Sequence, residues 1–163
     1  MPIVDQVLWD VGAGCGSVAI EWMRSHPRCM AVAIEKSKTR LKMIEQNAIQ
    51  LGVPLLKIVP GTLPDVLEHL PLPDAIFVGG GIANSKRKGS SSLLDICWKL
   101  LKPGGRLVAH AVTFETEQQL LNWHKKHRGD LTRLSISRAD SIGKYQGWKP
   151  LRPVTQYSVT KEY

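Results

Sequence analysis

The feature that most constrains this chain is an apolar segment that runs directly into a glycine-rich turn. Residues 7–11 form the apolar segment, and three alternate glycines, Gly12, Gly14 and Gly16, follow it before a helical segment opens. Glycine permits positive backbone angles and lets a ligand approach the backbone closely. The pattern predicts the first strand, turn and helix of an open α/β sheet with a nucleotide-type ligand on the turn.

The spacing of the glycines separates two classes of ligand. The dinucleotide fingerprint G-x-G-x-x-G/A requires Gly or Ala at position 17, where this chain has Ser17. Asp10 lies near the end of the first strand, and Glu35 follows a second apolar strand, 30–34, about 20 residues after the glycines, where a carboxylate can accept both ribose hydroxyls. This pattern is typical of S-adenosylmethionine sites, although a glycine turn and a capping acid also occur without a ligand.

Length and composition predict a single domain over residues 1–163, because 43% of the residues are hydrophobic and the chain has no repeat. The three cysteines show no C-x-x-C spacing, so neither a disulfide framework nor a metal site is expected. A signal peptide and a membrane-spanning stretch are also missing from the pattern, which favours the cytosol.

The chain is basic, with a formal net charge of +8 at pH 7. Such a charge favours a polyanionic partner, which could be nucleic acid, an anionic membrane face or a small molecule with several carboxylates. A solvated basic surface explains the same charge equally well, so the charge does not choose among these classes.

Apolar segments and turn residues alternate as they do in a mostly parallel, Rossmann-like sheet with helices on both faces. The last part of the chain is expected to depart from this alternation. Two strands follow one another there without a helix between them, which implies antiparallel pairing at the edge of the sheet. After the second strand, the predicted elements are a helix from the cap Ser37 to Gly52, strand 56–59, a short helix 63–70, strand 74–78, helix 93–101, strand 106–111, helix 115–127, and strands around 131–138 and 154–160 joined by a loop, 141–153.

Ligands of such sheets bind where the strand order reverses, which is here expected between the first and fourth strands. A second glycine cluster, Gly79, Gly80 and Gly81, follows the fourth strand and would face the first, leaving space for a bulky planar substrate beside the methyl donor. Gly61, Thr62 and Leu63 follow the third strand, at the edge where an adenine ring would lie. The basic stretch 84–92 is either a substrate-facing loop or a surface loop.

Several segments together resemble one family of cobalamin-pathway enzymes, the precorrin-6Y methyltransferases, and in particular their domain that methylates carbon 15 and decarboxylates the carbon 12 acetate. The resemblance covers nearly the whole chain. It is carried by Gly12–Gly16, Phe77–Gly81, Trp98–Glu115, Trp148–Pro150 and Pro153–Tyr157. It implies a class I methyltransferase fold, S-adenosylmethionine as donor, a tetrapyrrole as acceptor and a homotetramer.

The resemblance also implies which residues contact the cofactor. Carried over to this chain, the family's contacts fall on Gly12, Ala13, Gly14, Cys15, Gly16, Glu35, Thr62 and Leu63. Asp10, Gly61 and Gly79 are added as expected neighbours of the cofactor, and Gly80, Gly81 and Thr113 as expected substrate contacts. The family usually has a helix before the first strand. Only residues 1–6 precede that strand here, which suggests a truncated form or the carboxyl half of a fusion with a carbon 5 methyltransferase.

Methyl transfer from a sulfonium needs in-line placement and desolvation more than a nucleophilic side chain. Decarboxylation leaves electrons that a conjugated macrocycle accepts, so a protein must hold the other carboxylates and protonate a carbon. His110 and Glu115, near the end of the fifth strand, are the candidate catalytic residues, although a histidine at a strand end is as often simply structural.

Two other functions remain open. An RNA methyltransferase would explain the basic charge through phosphate contacts, although the chain has neither an appended RNA-binding module nor an Asp/Asn-Pro-Pro-Tyr segment. A non-catalytic domain that binds the cofactor or supports assembly is the second alternative.

Overall fold

A computed structural model describes residues 5–82 and 92–162, which contain nine strands and four α-helices. The strands are β1 Val7–Val11, β2 Met30–Glu35, β3 Lys57–Pro60, β4 Ala75–Val78, β5 Arg106–Ala111, β6 Asp130–Leu134, β7 Ser137–Ile142, β8 Tyr145–Pro150 and β9 Val154–Thr160. The helices are α1 Ser17–Ser25, α2 Lys38–Gln50, α3 Leu93–Leu100 and α4 Phe114–His127. Of the basic stretch 84–92, only Ser92 falls within the described residues.

Seven strands form one sheet in the order β3-β2-β1-β4-β5-β9-β6. The five strands from β3 to β5 pair in parallel, whereas β9 is antiparallel to both of its neighbours. The predicted fold class is therefore confirmed, with the refinement that the antiparallel strand lies one position inside the edge strand β6. The strand order reverses between β1 and β4, as the sequence pattern predicts.

The sheet is covered by helices on both faces because its strands alternate in the side to which they send apolar residues. In β1, Trp9 and Val11 belong to a core cluster with α3 and α4 residues such as Leu94 and Leu120. Leu8 belongs to a second cluster, in which α1 and α2 contribute buried residues, among them Ile44. The central strands are thus buried on both faces, and this packing fixes the positions of their carboxyl ends.

Two predicted elements are wrong. The segment 63–70 is not an α-helix, and only Leu67–His69 forms a 3-10 turn, closed by i,i+3 hydrogen bonds from Leu67 to the Pro64 carbonyl and from Leu70 to that of Leu67. Prolines at positions 64 and 71 leave too few consecutive N–H donors between them for two helical turns.

The predicted loop 141–153 is also wrong, because its first two residues end one strand of a β-hairpin and Tyr145–Pro150 form the other strand. The strand predicted over 131–138 is split between β6 and β7, and β7 pairs with β8 in a separate two-stranded sheet. The reversal is a two-residue turn between Ile142 and Tyr145, in which Gly143 has a φ of 58°. Such a turn matches the twist of antiparallel strands, and glycine adopts its left-handed conformation without strain.

Candidate functional site

A cleft opens at the reversal point of the sheet, above the carboxyl ends of β1, β2 and β4. Its volume is about 210 Å³. It is lined by Gly12, Ile34, Glu35, Lys36, Arg40, Gly61, Thr62, Leu63, Gly79, Gly80 and Gly81. The structure therefore brings eight of the sequence-predicted site residues together from four separate segments of the chain.

Gly12 of the first glycine cluster faces Gly80 of the second across this cleft, with no room for a side chain at position 12. A Cβ added to Gly12, whose φ is +72°, would lie 3.0 Å from the backbone nitrogen of Gly80 and 3.1 Å from its carbonyl oxygen. The Gly79 N–H donates to the Val11 carbonyl at 3.0 Å, which continues the β1–β4 pairing to the last residue before the cleft. The floor of the cleft is thus made of backbone that a ligand can approach directly.

Glu35 ends β2 at the cleft and is 5% exposed. Its Oε1 accepts the N–H groups of Lys36 at 2.9 Å and Ser37 at 3.0 Å, and its Oε2 accepts that of Gly14 at 3.0 Å. Burial alone would raise the pKa of Glu35, but these donors and the Arg40 guanidinium, 3.6 Å from Oε2, lower it below its ordinary value.

The lowered pKa means that the Glu35 carboxylate is ionised at neutral pH. A carboxylate offers about four acceptor positions, and the three backbone N–H groups occupy three of them. The remaining position lies on Oε2, on the side of Arg40. This arrangement can accept a hydroxyl donor from a ligand, next to the Arg40 guanidinium that also lines the cleft.

Asp10 lies outside the cleft lining, beneath the turn. It is 1% exposed, and its Oδ2 accepts the N–H of Ala19 in the first turn of α1 at 3.0 Å. Burial raises the pKa of Asp10 to about 6, against the lowering effect of that hydrogen bond and with a further increase from the negative charge of Glu35. Asp10 therefore fastens α1 to β1 and sets the position of the turn.

The other turn residues hold its shape from outside the cleft lining. The Ala13 N–H donates to the Ile34 carbonyl at 3.0 Å, and the Cys15 carbonyl accepts the Asn47 side-chain amide at 3.0 Å. A Cβ on Gly16 would lie 2.9 Å from the side chain of Ile44, so α1 and α2 pack closely there. Direct contact of Ala13, Cys15 and Gly16 with a cofactor stays a prediction.

His110, in β5, is half-buried and lines neither the cleft nor the groove described next. Its Nε2 lies 2.9 Å from the Gln156 Oε1 on β9, and its ring meets the edge of Phe77 at a centroid distance of 4.8 Å. His110 is the penultimate residue of β5, and these partners fix its ring on the sheet face that also carries Phe77. A catalytic role for His110 stays a prediction.

Thr113 and Glu115 lie in a second concavity of about 420 Å³, called here the α4 groove. It is lined by Ala111, Val112, Thr113, Phe114, Glu115, Glu117, Arg133, Arg152, Pro153 and Thr155. The Thr113 hydroxyl caps α4 by accepting the Thr116 N–H at 3.3 Å. The N–H of Glu115 and the Thr113 hydroxyl lower the pKa of the exposed Glu115 carboxyl, which is therefore ionised at neutral pH.

Sequence reasoning missed Lys36 and Arg40 in the cleft and Gln156 beside His110. Lys36 follows Glu35 directly and Arg40 lies in the first turn of α2, so a rule that extends the search from a strand-end acid into the next helical turn would have found both. No local sequence pattern could have identified Gln156, because only the pairing of β5 with β9 places it opposite His110.

The described residues, 5–82 and 92–162, hold neither a cluster of metal ligands nor a helix that could span a membrane. Nowhere in these two ranges do three or more His, Cys, Asp or Glu side chains cluster as the ligands of a metal ion do. The helices of the same ranges are all too short or too polar to cross a membrane.

Comparison with known proteins gives a consistent result along nearly the whole chain. Residues 1–161 match the family model described as the precorrin methyltransferase domain. A precorrin-6Y C(5,15)-methyltransferase (decarboxylating) from Sinorhizobium sp is 45% identical over 160 residues, which are 98% of this chain and 37% of that protein. A cobalt-precorrin-6B C(15)-methyltransferase (decarboxylating) from Salmonella typhimurium is 31% identical over 95% of this chain and 79% of its own length.

A solved structure agrees with these sequence comparisons. The C-terminal domain of precorrin-6Y C5,15-methyltransferase from Rhodobacter capsulatus superposes with a TM-score of 0.85 and 40% identity, covering 98% of this chain and 83% of that one. The chain spans well under half the length of the Sinorhizobium relative, and it corresponds to a domain in the Rhodobacter protein.

Proposed function

Because this chain belongs to the family of precorrin methyltransferase domains, we propose that it methylates carbon 15 of a precorrin of the 6Y/6B type, with S-adenosylmethionine as the donor. In the same proposal it decarboxylates the acetate at carbon 12, as a step of cobalamin biosynthesis. The observation that carries the proposal is the cleft at the β1/β4 reversal point, where a buried, ionised Glu35 faces two glycine clusters. A donor and a planar acceptor can meet there above bare backbone.

The cleft residues fit S-adenosylmethionine, whose sulfonium supplies the methyl group. The open acceptor position on Glu35 suits a ribose hydroxyl, and the segment Gly61–Leu63 forms the wall on which adenine would lie. Gly12 and Gly79 provide the close backbone approach for the rest of the cofactor. Gly80 and Gly81 would face the substrate, with Thr113 farther along the same edge of the sheet.

The protein's own groups would contribute placement, exclusion of water and proton transfer. His110 is the candidate proton donor to carbon after carbon dioxide leaves, because Gln156 and Phe77 hold its ring in one orientation. Glu115 is ionised at neutral pH because its pKa is lowered, so it fits an orienting or proton-accepting role better than that of a donor.

Assembly into a homo-oligomer, expected as a tetramer, belongs to the same proposal. The β7–β8 hairpin extends beyond the main sheet and exposes Ile142, Tyr145 and Trp148, the last of them 78% exposed. An isolated two-stranded hairpin is marginally stable in water, and an apolar one gains stability when a second copy covers it. The exposed apolar residues of the hairpin therefore support self-association, because a second copy would cover them.

The size of the relatives supports one further partner. Since the chain spans 37% of the Sinorhizobium protein, we propose that methylation at carbon 5 is performed by a separate domain or subunit working with this one. The expected cytosolic location stays a prediction.

The direct test is calorimetric titration of the protein with S-adenosylhomocysteine, followed by incubation with S-adenosylmethionine and a precorrin-6B preparation and by mass spectrometry. We expect binding, and a product that has gained one methyl group and lost carbon dioxide. The Glu35→Gln variant should lose binding, while Glu45→Gln, an exposed acid on α2, serves as the matched control.

Each of the other outcomes contradicts a different part of the proposal. Binding with no change in the tetrapyrrole contradicts the substrate, and methylation of added transfer RNA would then favour the RNA alternative. Binding with no methylation of either acceptor favours a non-catalytic domain. A protein that does not bind S-adenosylhomocysteine contradicts the cofactor itself.

A further inference from the structure

The α4 groove lies on the same edge of the sheet as the cleft. Its floor is formed by the carboxyl end of β5, at Ala111, and by the start of β9, at Thr155, which are direct partners in the strand pairing. From the β1/β4 reversal point to β9 there are two to three strand spacings, or about 12 Å. A ligand as wide as a tetrapyrrole can therefore occupy the cleft mouth and reach the groove without leaving the edge.

One of the two arginines in the groove is already neutralised. The Arg133 guanidinium forms an ion pair with Glu117, and the same guanidinium nitrogen donates to the Thr155 hydroxyl at 3.2 Å. Thr155 is 7% exposed, and its hydroxyl in turn donates to the Glu117 carboxylate at 3.2 Å. This closed set of contacts forms a rigid back wall and leaves Arg133 with little net charge to offer a ligand.

The other arginine, Arg152, is exposed at the groove and has no acidic partner within the described part of the chain. Of the two acids in the lining, Glu117 is paired with Arg133, and the carboxylate of Glu115 is held by its own N–H and by the Thr113 hydroxyl. Arg152 is therefore the groove's available cation. A guanidinium presents paired N–H donors that match the two oxygens of a carboxylate.

The rim of the groove is apolar. Phe114, the first residue of α4, is 88% exposed, and the neighbouring Val112 is more than half exposed. Both side chains line the groove, together with Pro153. An exposed aromatic ring beside an available cation suits a ligand that has a flat apolar body and carboxylates at its margin.

We propose that the α4 groove binds one of the carboxylate side chains of the tetrapyrrole, with Arg152 as its ion-pair partner and Phe114 packed against the macrocycle. This inference rests on the proposed function for the identity of the ligand. It adds a second point of attachment to the one at the cleft mouth. Two points of attachment fix the rotation of the macrocycle and so select the carbon that is presented at the cleft.

The test compares Arg152→Ala and Arg152→Lys with Arg106→Ala, an exposed arginine at the opposite, amino end of β5. The probes are uroporphyrin, which carries eight carboxylates, and coproporphyrin, which carries four, with binding followed by fluorescence over a range of salt concentrations. We expect Arg152→Ala to bind uroporphyrin about three- to tenfold more weakly, with a reduced salt dependence. Arg152→Lys should recover part of the salt dependence, and Arg106→Ala should match the wild type.

In the precorrin assay, Arg152→Ala should raise KM for the tetrapyrrole more than it lowers kcat, and calorimetric binding of S-adenosylhomocysteine should be unchanged. Unchanged uroporphyrin affinity in Arg152→Ala, or wild-type protein that binds neither porphyrin, overturns the inference. Wild-type turnover with no effect of Arg152→Ala overturns it and leaves the proposed function standing. Arg152-dependent porphyrin binding without precorrin turnover supports the groove and contradicts the proposed function.

Discussion

Replacement of Asp10 by Asn should change the pH dependence of folding in a defined direction. Asp10 is buried under the glycine turn, where burial raises its pKa from the ordinary value of 3.8 to about 6. Asparagine has nearly the same shape, and its carbonyl oxygen can accept the Ala19 N–H that the carboxylate accepts at 3.0 Å. The substitution therefore removes the titration while it keeps the contact that fastens α1.

The magnitude follows from the difference between the folded and unfolded pKa. A shift of about two units corresponds to about 3 kcal/mol. Because the folded pKa of Asp10 is the higher one, its contribution to stability is fully present below pH 3.8 and is lost as the pH rises through about 6. Asp10→Asn does not ionise, so its stability relative to the wild type should increase by about 2.4 kcal/mol between pH 4 and pH 7, with the rest of the change below pH 4.

Urea unfolding of both proteins, followed by circular dichroism at half-unit steps from pH 4 to pH 8, measures this difference. The other titrating groups are common to the two proteins, so their contributions cancel in the subtraction, except for the part of the Glu35 contribution that is coupled to the charge of Asp10. The wild type should become the less stable of the two above pH 6. A difference that stays constant across the range would refute the reasoning, because it would mean that Asp10 titrates alike in the folded and unfolded chain.

Three further predictions concern other parts of the molecule. Gly12→Ala should weaken S-adenosylhomocysteine binding by about tenfold or more, equivalent to about 1.4 kcal/mol, because its Cβ closes the gap to Gly80; Gly52→Ala, equally strained but open to solvent, should bind normally in the same calorimetric titration. Burial lowers the pKa of His127, with Lys126 nearby adding to the effect, so its contribution to stability is present above pH 6.5 and is lost as the pH falls; His127→Phe, which keeps the stacking on Trp123, should abolish that loss in thermal melts at pH 5 and pH 7.5. Trp148→Ser should lower the mass measured by light scattering, and an unchanged mass would exclude the hairpin as the assembly surface.

The parallel half of the fold was predictable because its signals are local. The run of apolar residues in β1, the glycines after it and the cap Ser37 each determine a conformation within a few residues of themselves. Glu35 was predictable for the same reason, since it ends an apolar strand at a fixed distance from the glycine turn. The reversal of strand order follows from this regular alternation.

The antiparallel part was less predictable because its pairing joins distant segments. The order β5-β9-β6 places Thr155 between Ala111 and Arg133 in the sheet, and no short-range pattern states that these three residues meet. The β7–β8 hairpin was missed because its Gly and Trp residues were interpreted as loop composition rather than as a two-residue turn with paired strands. The α4 groove is formed by segments that only this pairing and the hairpin bring together. The sequence pattern therefore predicted Thr113 and Glu115 as site residues but did not predict Arg133 or Arg152.

The insertion of β9 between β5 and β6 also determines when the domain can complete its folding during synthesis. Within the described chain β6 has β9 as its only strand partner, and Tyr157 of β9 is fully buried in the core. When β1 to β6 have been synthesised, the sheet is therefore still incomplete. The flank of β5 has no partner strand, and the core lacks the side chain of Tyr157. The parallel strands that carry the cleft can form early, whereas the part that carries the α4 groove must wait for residues 154–160. In a nascent chain paused before them, the open flank of β5 would be available for pairing with another chain.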